Sequence, residues 1–175
     1  KNLKELQKKN LIGEKIKWIK NFDIIKSGPV VFLGNEFFDA IPIKQYKKFN
    51  NILYEKYVKL AVDSNVEIFF KKTKLKSIKE LKKFNIFKNQ SFIEYPKKGL
   101  KELDMITNTI KRLNGGLLLI DYGFLKQENI DTLQSVKKHK KNILFKDIGE
   151  ADITSLVNFN LLKNYFKKNK LKTNN

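Results

Sequence analysis

Cysteine is absent from this 175-residue chain. That excludes disulfides, thiolate metal sites and cysteine nucleophiles, and it fits a reducing compartment. Histidine occurs once, at His139, and no group of Asp or Glu has metal-ligand spacing. The eight glycines include no G-x-G pair, so the chain carries no nucleotide-binding fingerprint of its own. A G-x-S-x-G elbow is also missing, which removes the usual signature of an α/β-hydrolase nucleophile. No apolar run approaches the roughly 18 residues of a membrane span, and no signal peptide is visible. The first residue is Lys1 rather than Met, so the natural N-terminus, with any targeting segment, is expected upstream.

Arginine is scarce in a different way. The chain has 37 basic and 18 acidic residues, for a formal net charge of +19, yet only Arg112 is arginine. Such a charge ordinarily suggests nucleic acid or an anionic surface. Nucleic-acid sites favour the bidentate fork of arginine, however, and here lysines are spread along the whole chain. Abundant Lys, Asn, Ile and Phe point instead to an A/T-biased coding sequence. A nucleic-acid partner is therefore discounted. Hydrophobic residues make up 41% of the chain, enough for one domain with a real core.

Periodicity gives a coarse map. Lys1 to Asn10 reads as a helix with Leu3 and Leu6 on one face, and Gly13 follows its end. Glu14 to Ile19 reads as a short strand carrying Trp18, whose ordinary role is packing. Ser27-Gly28-Pro29 is a turn signal, and Val30 to Leu33 reads as a buried strand. Phe37 to Ala40 is expected to form one helical turn or a tight loop before Pro42. Ile52 to Leu60 and Val66 to Lys71 read as a hairpin around Val62-Asp63-Ser64-Asn65. A partly exposed helix is expected over Ser77 to Phe84. Pro96 to Leu113 is the clearest helix, with Leu100, Leu103, Ile106, Ile110 and Leu113 in one stripe and Asn114-Gly115 as its cap. Leu117 to Ile120 reads as a second buried strand, Asp131 to Val136 as another strand, and Asn160 to Lys168 as an amphipathic helix. The sum is a parallel α/β sheet with an inserted hairpin.

The segment Gly28 to Pro42 concentrates the chemistry. An apolar strand stops at Gly34, and Asn35, Glu36 and Asp39 follow at once. Two readings fit these residues: a strand delivering acidic groups to the carboxyl edge of a sheet, where open α/β folds bind ligands, or a strand end with a helix cap. Asp121-Tyr122 ends the other apolar strand in the same manner, and there too a cap is the alternative. His139, within a run of lysines, reads on its own as solvated. Asp152 and Thr154 look like an N-cap pair.

NEFFDAIP (Asn35 to Pro42), GGLLLIDYG (Gly115 to Gly123), DTLQSVKKH (Asp131 to His139) and GEADITSLVNF (Gly149 to Phe159) occur in the order and spacing of one family. The chain resembles the MidA-type S-adenosylmethionine-dependent methyltransferases, and LKELQKKNL (Leu3 to Leu11) is similar to that family's helix after the second core strand. Mitochondrial members are protein-arginine methyltransferases that act in complex I assembly. The resemblance implies a Rossmann-like class I methyltransferase sheet, with S-adenosyl-L-methionine as cofactor and a protein arginine as acceptor. It places the protein in the mitochondrial matrix if eukaryotic and in the cytoplasm if bacterial. It further implies that residues 1–175 are an internal part of the domain, with the first strands and the cofactor loop before Lys1.

On this resemblance Glu36 is the first choice for a carboxylate that clamps the acceptor, and Asp39 the second. Asn35 would orient the acceptor or touch the cofactor, and Gly34 would let backbone approach ligand. Trp18 would lie near the adenine. Asp121, Tyr122, His139 and Asp152 would line the acceptor side. A non-catalytic docking role, or a class I methyltransferase with a small-molecule or RNA acceptor, are the rival readings.

Overall fold

The computed structural model describes residues 2–62, 65–84, 90–126 and 129–174. Helix α1 (Asn2–Asn10) opens the chain, and a 3-10 turn (Phe22–Ile24) leads to strand β1 (Val31–Asn35). Strands β2 (Lys44–Phe49), β3 (Ile52–Leu60) and β4 (Val66–Lys72) follow, then helix α2 (Leu75–Lys82), strand β5 (Phe92–Tyr95) and helix α3 (Lys97–Leu113). Next come β6 (Gly116–Ile120), β7 (Gly123–Phe124), β8 (Gln134–Lys137), β9 (Lys140–Asn142), β10 (Asp152–Thr154) and β11 (Val157–Asn158), and helix α4 (Phe159–Lys168).

β1 and β6 form a parallel pair in which Val31 faces Gly116 and Asn35 faces Ile120. This is the α/β element expected from the two apolar runs. The hairpin β3–β4 also forms, but it belongs to a four-stranded antiparallel sheet of order β4-β3-β2-β5. β2 and β5 escape a reading by hydrophobicity. β2 is KQYKKF, half lysine, and β5 is FIEY, with an acid on a buried strand. A third sheet has order β10-β8-β9, and β11 pairs in parallel with β7. In the turn of the expected hairpin, Asp63 and Ser64 lie outside the described residues, as does the 85–89 stretch of the lysine-rich segment.

The core sits between the antiparallel sheet and helices α3 and α4. Leu100, Leu103, Ile106 and Ile110 of α3 are buried, as the stripe predicts, against Tyr46, Ile93 and Tyr95 of the sheet and Leu161, Leu162 and Tyr165 of α4. Asn114 takes the left-handed conformation (φ 53°) and caps α3, its N–H donating to the Ile110 carbonyl. The Tyr165 hydroxyl donates to the Asp104 carboxylate at 2.5 Å, so this buried phenol keeps a partner.

Three expectations are corrected. Glu14 to Ile19 is not a strand: it has no ladder partner among the described residues, and Ile16 and Ile19 are exposed. Strand β8 starts at Gln134, because Asp131 and Thr132 commit their side chains to bonds with other segments. The two apolar strands are covered on one face only. Phe32, Leu117 and Leu119 pack against the core, whereas Val31 and Leu33 are 78% and 69% exposed, and Leu118 and Ile120 are about half exposed. Strands of parallel sheets are ordinarily buried on both faces.

Leu103 is fully buried at the centre of α3. Leu103→Ala should cost about 2–5 kcal/mol, the range for a leucine truncated in a packed core. The check is a urea titration in which the midpoint falls at unchanged slope.

Candidate functional site

The register of β1 on β6 builds the site. Asn35 and Ile120 are paired, so the next residues, Glu36 and Asp121, emerge side by side at the carboxyl edge. The Glu36 amide donates to the Ile120 carbonyl at 2.8 Å, extending the ladder by one bond. Glu36 itself adopts φ 46°. A non-glycine residue in this left-handed region costs about 1–2 kcal/mol, and such strain gathers at functional sites. Its carboxylate is exposed.

Asp121 holds the loop that follows. Its Oδ2 accepts from the Phe38 amide at 2.7 Å and the Asp39 amide at 3.3 Å, and its Oδ1 accepts from the Tyr122 amide at 2.9 Å. Phe38 anchors the same loop from below. It is buried, and its ring lies where a side chain on Gly99 of α3 would stand, 2.7 Å from an added Cβ. Phe37 remains partly exposed and packs edge-on against Phe38 at 5.7 Å. The loop is a tight turn rather than a helical turn, with the Ile41 amide bonded to the Phe38 carbonyl at 3.1 Å.

A third segment closes on these two. The Ser155 amide donates to the Asp39 carbonyl at 2.9 Å, and the Val157 amide donates to the Tyr122 carbonyl at 2.8 Å. The motifs around Glu36, Asp121 and Ser155 therefore meet at one edge. Asn35, Glu36, Asp39, Asp121 and Tyr122 come together as expected. Gly34 lies on β1 beneath them, and the space over its Cα is filled by the Leu119 side chain at 2.9 Å. Burial raises the Asp39 carboxyl above its usual range, and the neighbouring charges of Asp121 and then Glu36 raise it further. The Ala40 amide offsets part of this rise by donating to the carboxylate.

The other candidates sit elsewhere. The Trp18 indole donates to the Gln7 amide oxygen of the α1 helix at 3.0 Å, and among the described residues no hydrogen bond or ring contact links it to the acidic loop. His139 is exposed in the β8–β9 turn, where Lys138 (φ 49°) and His139 (φ 59°) both take positive φ, as a two-residue type I′ hairpin requires. Asp152 is exposed on β10 opposite Val136, and the Thr154 hydroxyl accepts from the Gln134 amide at 3.2 Å. Both belong to a strand, so the N-cap reading is corrected. The cap of α4 is Asn158, whose side chain accepts from the Leu161 amide.

A supporting network escaped the sequence. The buried Glu94 carboxylate accepts from the Gln45 side chain at 2.7 Å, the Thr132 amide at 3.1 Å and the Thr132 hydroxyl at 2.5 Å. The Thr132 oxygen accepts in turn from the Leu156 amide at 2.9 Å. This relay fastens the Ser155–Val157 segment to the antiparallel sheet. The one available signal was an acid inside the β-rich FIEY.

A strand edge that presents clustered carboxylates beside a Rossmann-like core defines a class of ligand-binding α/β proteins, and comparison with known proteins narrows it. The family model described as "Putative S-adenosyl-L-methionine-dependent methyltransferase" matches residues 1–175, and the chain belongs to this family. A mitochondrial protein arginine methyltransferase NDUFAF7 homolog from Caenorhabditis elegans is 33% identical over 164 residues, covering 91% of this chain and 38% of its own length. The mitochondrial Drosophila melanogaster homolog is 26% identical over 155 residues, covering 86% of this chain and 35% of its own length. The chain thus spans little more than a third of these relatives. A COG1565 superfamily member from Burkholderia thailandensis, solved with S-adenosyl-homocysteine, superposes with a TM-score of 0.64 at 18% identity over 81% of this chain and 38% of that one. That superposition identifies the fold as the Rossmann-like methyltransferase type. No helix among the described residues is long and apolar enough to cross a membrane.

The raised Asp39 carboxyl favours the neutral acid in the folded state, relative to its ordinary 3.8. Its contribution to stability is present below pH 3.8 and is lost as pH rises through the folded value. Asp39→Asn keeps an acceptor for the Ala40 amide and removes that loss. It should be more stable than the wild type at pH 7, by a margin that shrinks as pH falls toward 4, read from denaturation midpoints across that range.

Proposed function

We propose that this chain is the acceptor-side portion of a methyltransferase domain that methylates arginine on a protein, using S-adenosyl-L-methionine. The observation that carries this reading is the convergence of Glu36, Asp39 and Asp121 at one strand edge of a chain whose formal net charge is +19. Three carboxylates collected against that background suit a cation, and they disfavour the phosphates of a nucleic acid. Asn35, at the end of β1, orients the acceptor or touches the cofactor.

When bound, the cofactor supplies an electrophilic methyl group on a leaving group that departs neutral. The chain's own residues then have to orient the acceptor and manage its proton. An arginine guanidinium is protonated at neutral pH and presents planar pairs of N–H donors. The exposed Glu36 carboxylate clamps such a pair and turns one nitrogen toward the methyl group. Asp39 titrates above the ordinary range, so it is the better acceptor for the proton that the nitrogen must lose. Asp121 has committed both its oxygens to backbone amides, and it acts as the positioning residue for the other two. Tyr122, exposed at the same edge, lines the acceptor side. The acceptor is taken to belong to a protein of complex I assembly, as the family resemblance implies. The mitochondrial names of the relatives support a mitochondrial location over the bacterial cytoplasm.

Glu36→Gln keeps shape and removes the charge. In the complete protein it should lower methyl transfer to an arginine substrate about 100-fold or more, with cofactor binding by calorimetry and thermal midpoint unchanged. Cellular function kept intact in this variant, and lost instead on multiple Lys→Glu changes at the surface, would favour the non-catalytic docking role.

A further inference from the structure

The antiparallel sheet ends on β4, whose only ladder partner among the described residues is β3. Its sequence, VEIFFKK, is rich in β-branched and aromatic residues, and an exposed edge of this kind is a template for another strand. The ladder tells which backbone groups are committed. The Ala61 amide donates to the Asn65 carbonyl and the Thr73 amide to the Leu53 carbonyl, both at 2.8 Å. Hydrogen-bonded pairs alternate along an antiparallel ladder. Glu67, Phe69 and Lys71 therefore spend their backbone groups on β3, and Val66, Ile68, Phe70 and Lys72 turn theirs outward.

The side chains divide the same way. Ile68 and Phe70, 49% and 43% exposed, share a face with Val58 and Leu60 of β3. Glu67, Phe69 and Lys71 share the other, where Phe69 stacks on Tyr57 and the Lys71 ammonium lies 5.2 Å over the Phe69 ring.

We propose that β4 pairs antiparallel with β4 of a second copy about a two-fold axis at Phe69, joining the two sheets into one. Phe69 is the midpoint of Val66–Lys72, so full overlap places Ile68 opposite Phe70 of the second copy. Both carry outward backbone groups, and the hydrogen-bonding parity is satisfied. The same register places Glu67 opposite Lys71 of the second copy, and the axis repeats that pair. Sliding by two residues in either direction keeps the parity but shortens the overlap and loses both charge pairs. The acid of β4 is thus matched to a lysine in the one register that uses the whole strand, although two chains of net charge +19 otherwise repel. Glu67 already holds Lys59 of its own chain at 2.7 Å, so it would sit between two ammonium groups. The interface is isologous and closes at two copies.

Sedimentation velocity across a concentration series tests this. The expected result is a reversible monomer–dimer equilibrium. Glu67→Lys and Lys71→Glu should each weaken the dimer about tenfold or more, because each sets like charges opposite one another twice. The double exchange Glu67→Lys with Lys71→Glu should restore affinity to within about threefold of wild type. Ile68→Pro removes an outward N–H without touching the β3 ladder, and should abolish the dimer at unchanged circular dichroism. A monomer persisting to about 100 µM overturns the proposal. So does an open-ended assembly, a dimer indifferent to the single reversals, or a double exchange without rescue.

Discussion

The carboxylate of Asp121 is the constraint on which the edge of this molecule depends. It receives the amides of Phe38 and Asp39 from one strand end and that of Tyr122 from its own. Hydrogen bonds to a charged acceptor contribute about 1.5–3 kcal/mol each, and together these offset the strain of Glu36 in its left-handed conformation. The geometry follows from register. Asp121 and Glu36 each stand one residue beyond a paired strand end, so a slip of one residue would carry Asp121 away from the amides it serves.

Behind this edge lies a second tier of support. Ser155 and Val157 tie the third motif to the Asp39 and Tyr122 carbonyls. The Glu94–Thr132–Leu156 relay fastens that motif to the antiparallel sheet. A buried acid with three donors is stabilised by them and would be costly without them. Phe38 fixes the remaining degree of freedom by filling the hollow over Gly99. The acidic loop is thereby held by polar bonds from its sides and by packing from beneath.

Much of this was legible in the residues, for reasons that differ by element. The α3 helix announced itself through an unbroken stripe and an Asn-Gly cap, and β1 and β6 through apolar runs that stop at polar residues. The convergence of Asn35, Glu36, Asp39, Asp121 and Tyr122 followed from placing both runs in one parallel sheet. What failed was whatever depends on non-local partners. β2 and β5 hide because lysines and a buried glutamate interrupt their pattern, and only pairing, β2 with β3 and β5 with β2, makes strands of them. The segment around Trp18 looked extended but has no ladder partner among the described residues, and its indole bonds Gln7 of α1 instead. His139 stands in a turn and Asp152 on an exposed strand, local settings that their motifs did not announce. The role of Asp121 as a clamp on backbone amides was half visible, since a cap was one of its two readings.

The pairing of β1 with β6 has a consequence for the order of events in folding. Asp121 and Phe38 stand 83 positions apart along the chain, and the whole antiparallel sheet and α3 lie between them. Contacts so distant in sequence are reached only after a long loop has been closed, which slows formation of the elements they join. The hairpin β3–β4 and helix α3 rest on local contacts and can form early. The acidic edge cannot exist until they have drawn the two strand ends together. A collapsed state with native helices and hairpin would therefore look nearly complete by its secondary structure and still lack the one place where its chemistry resides.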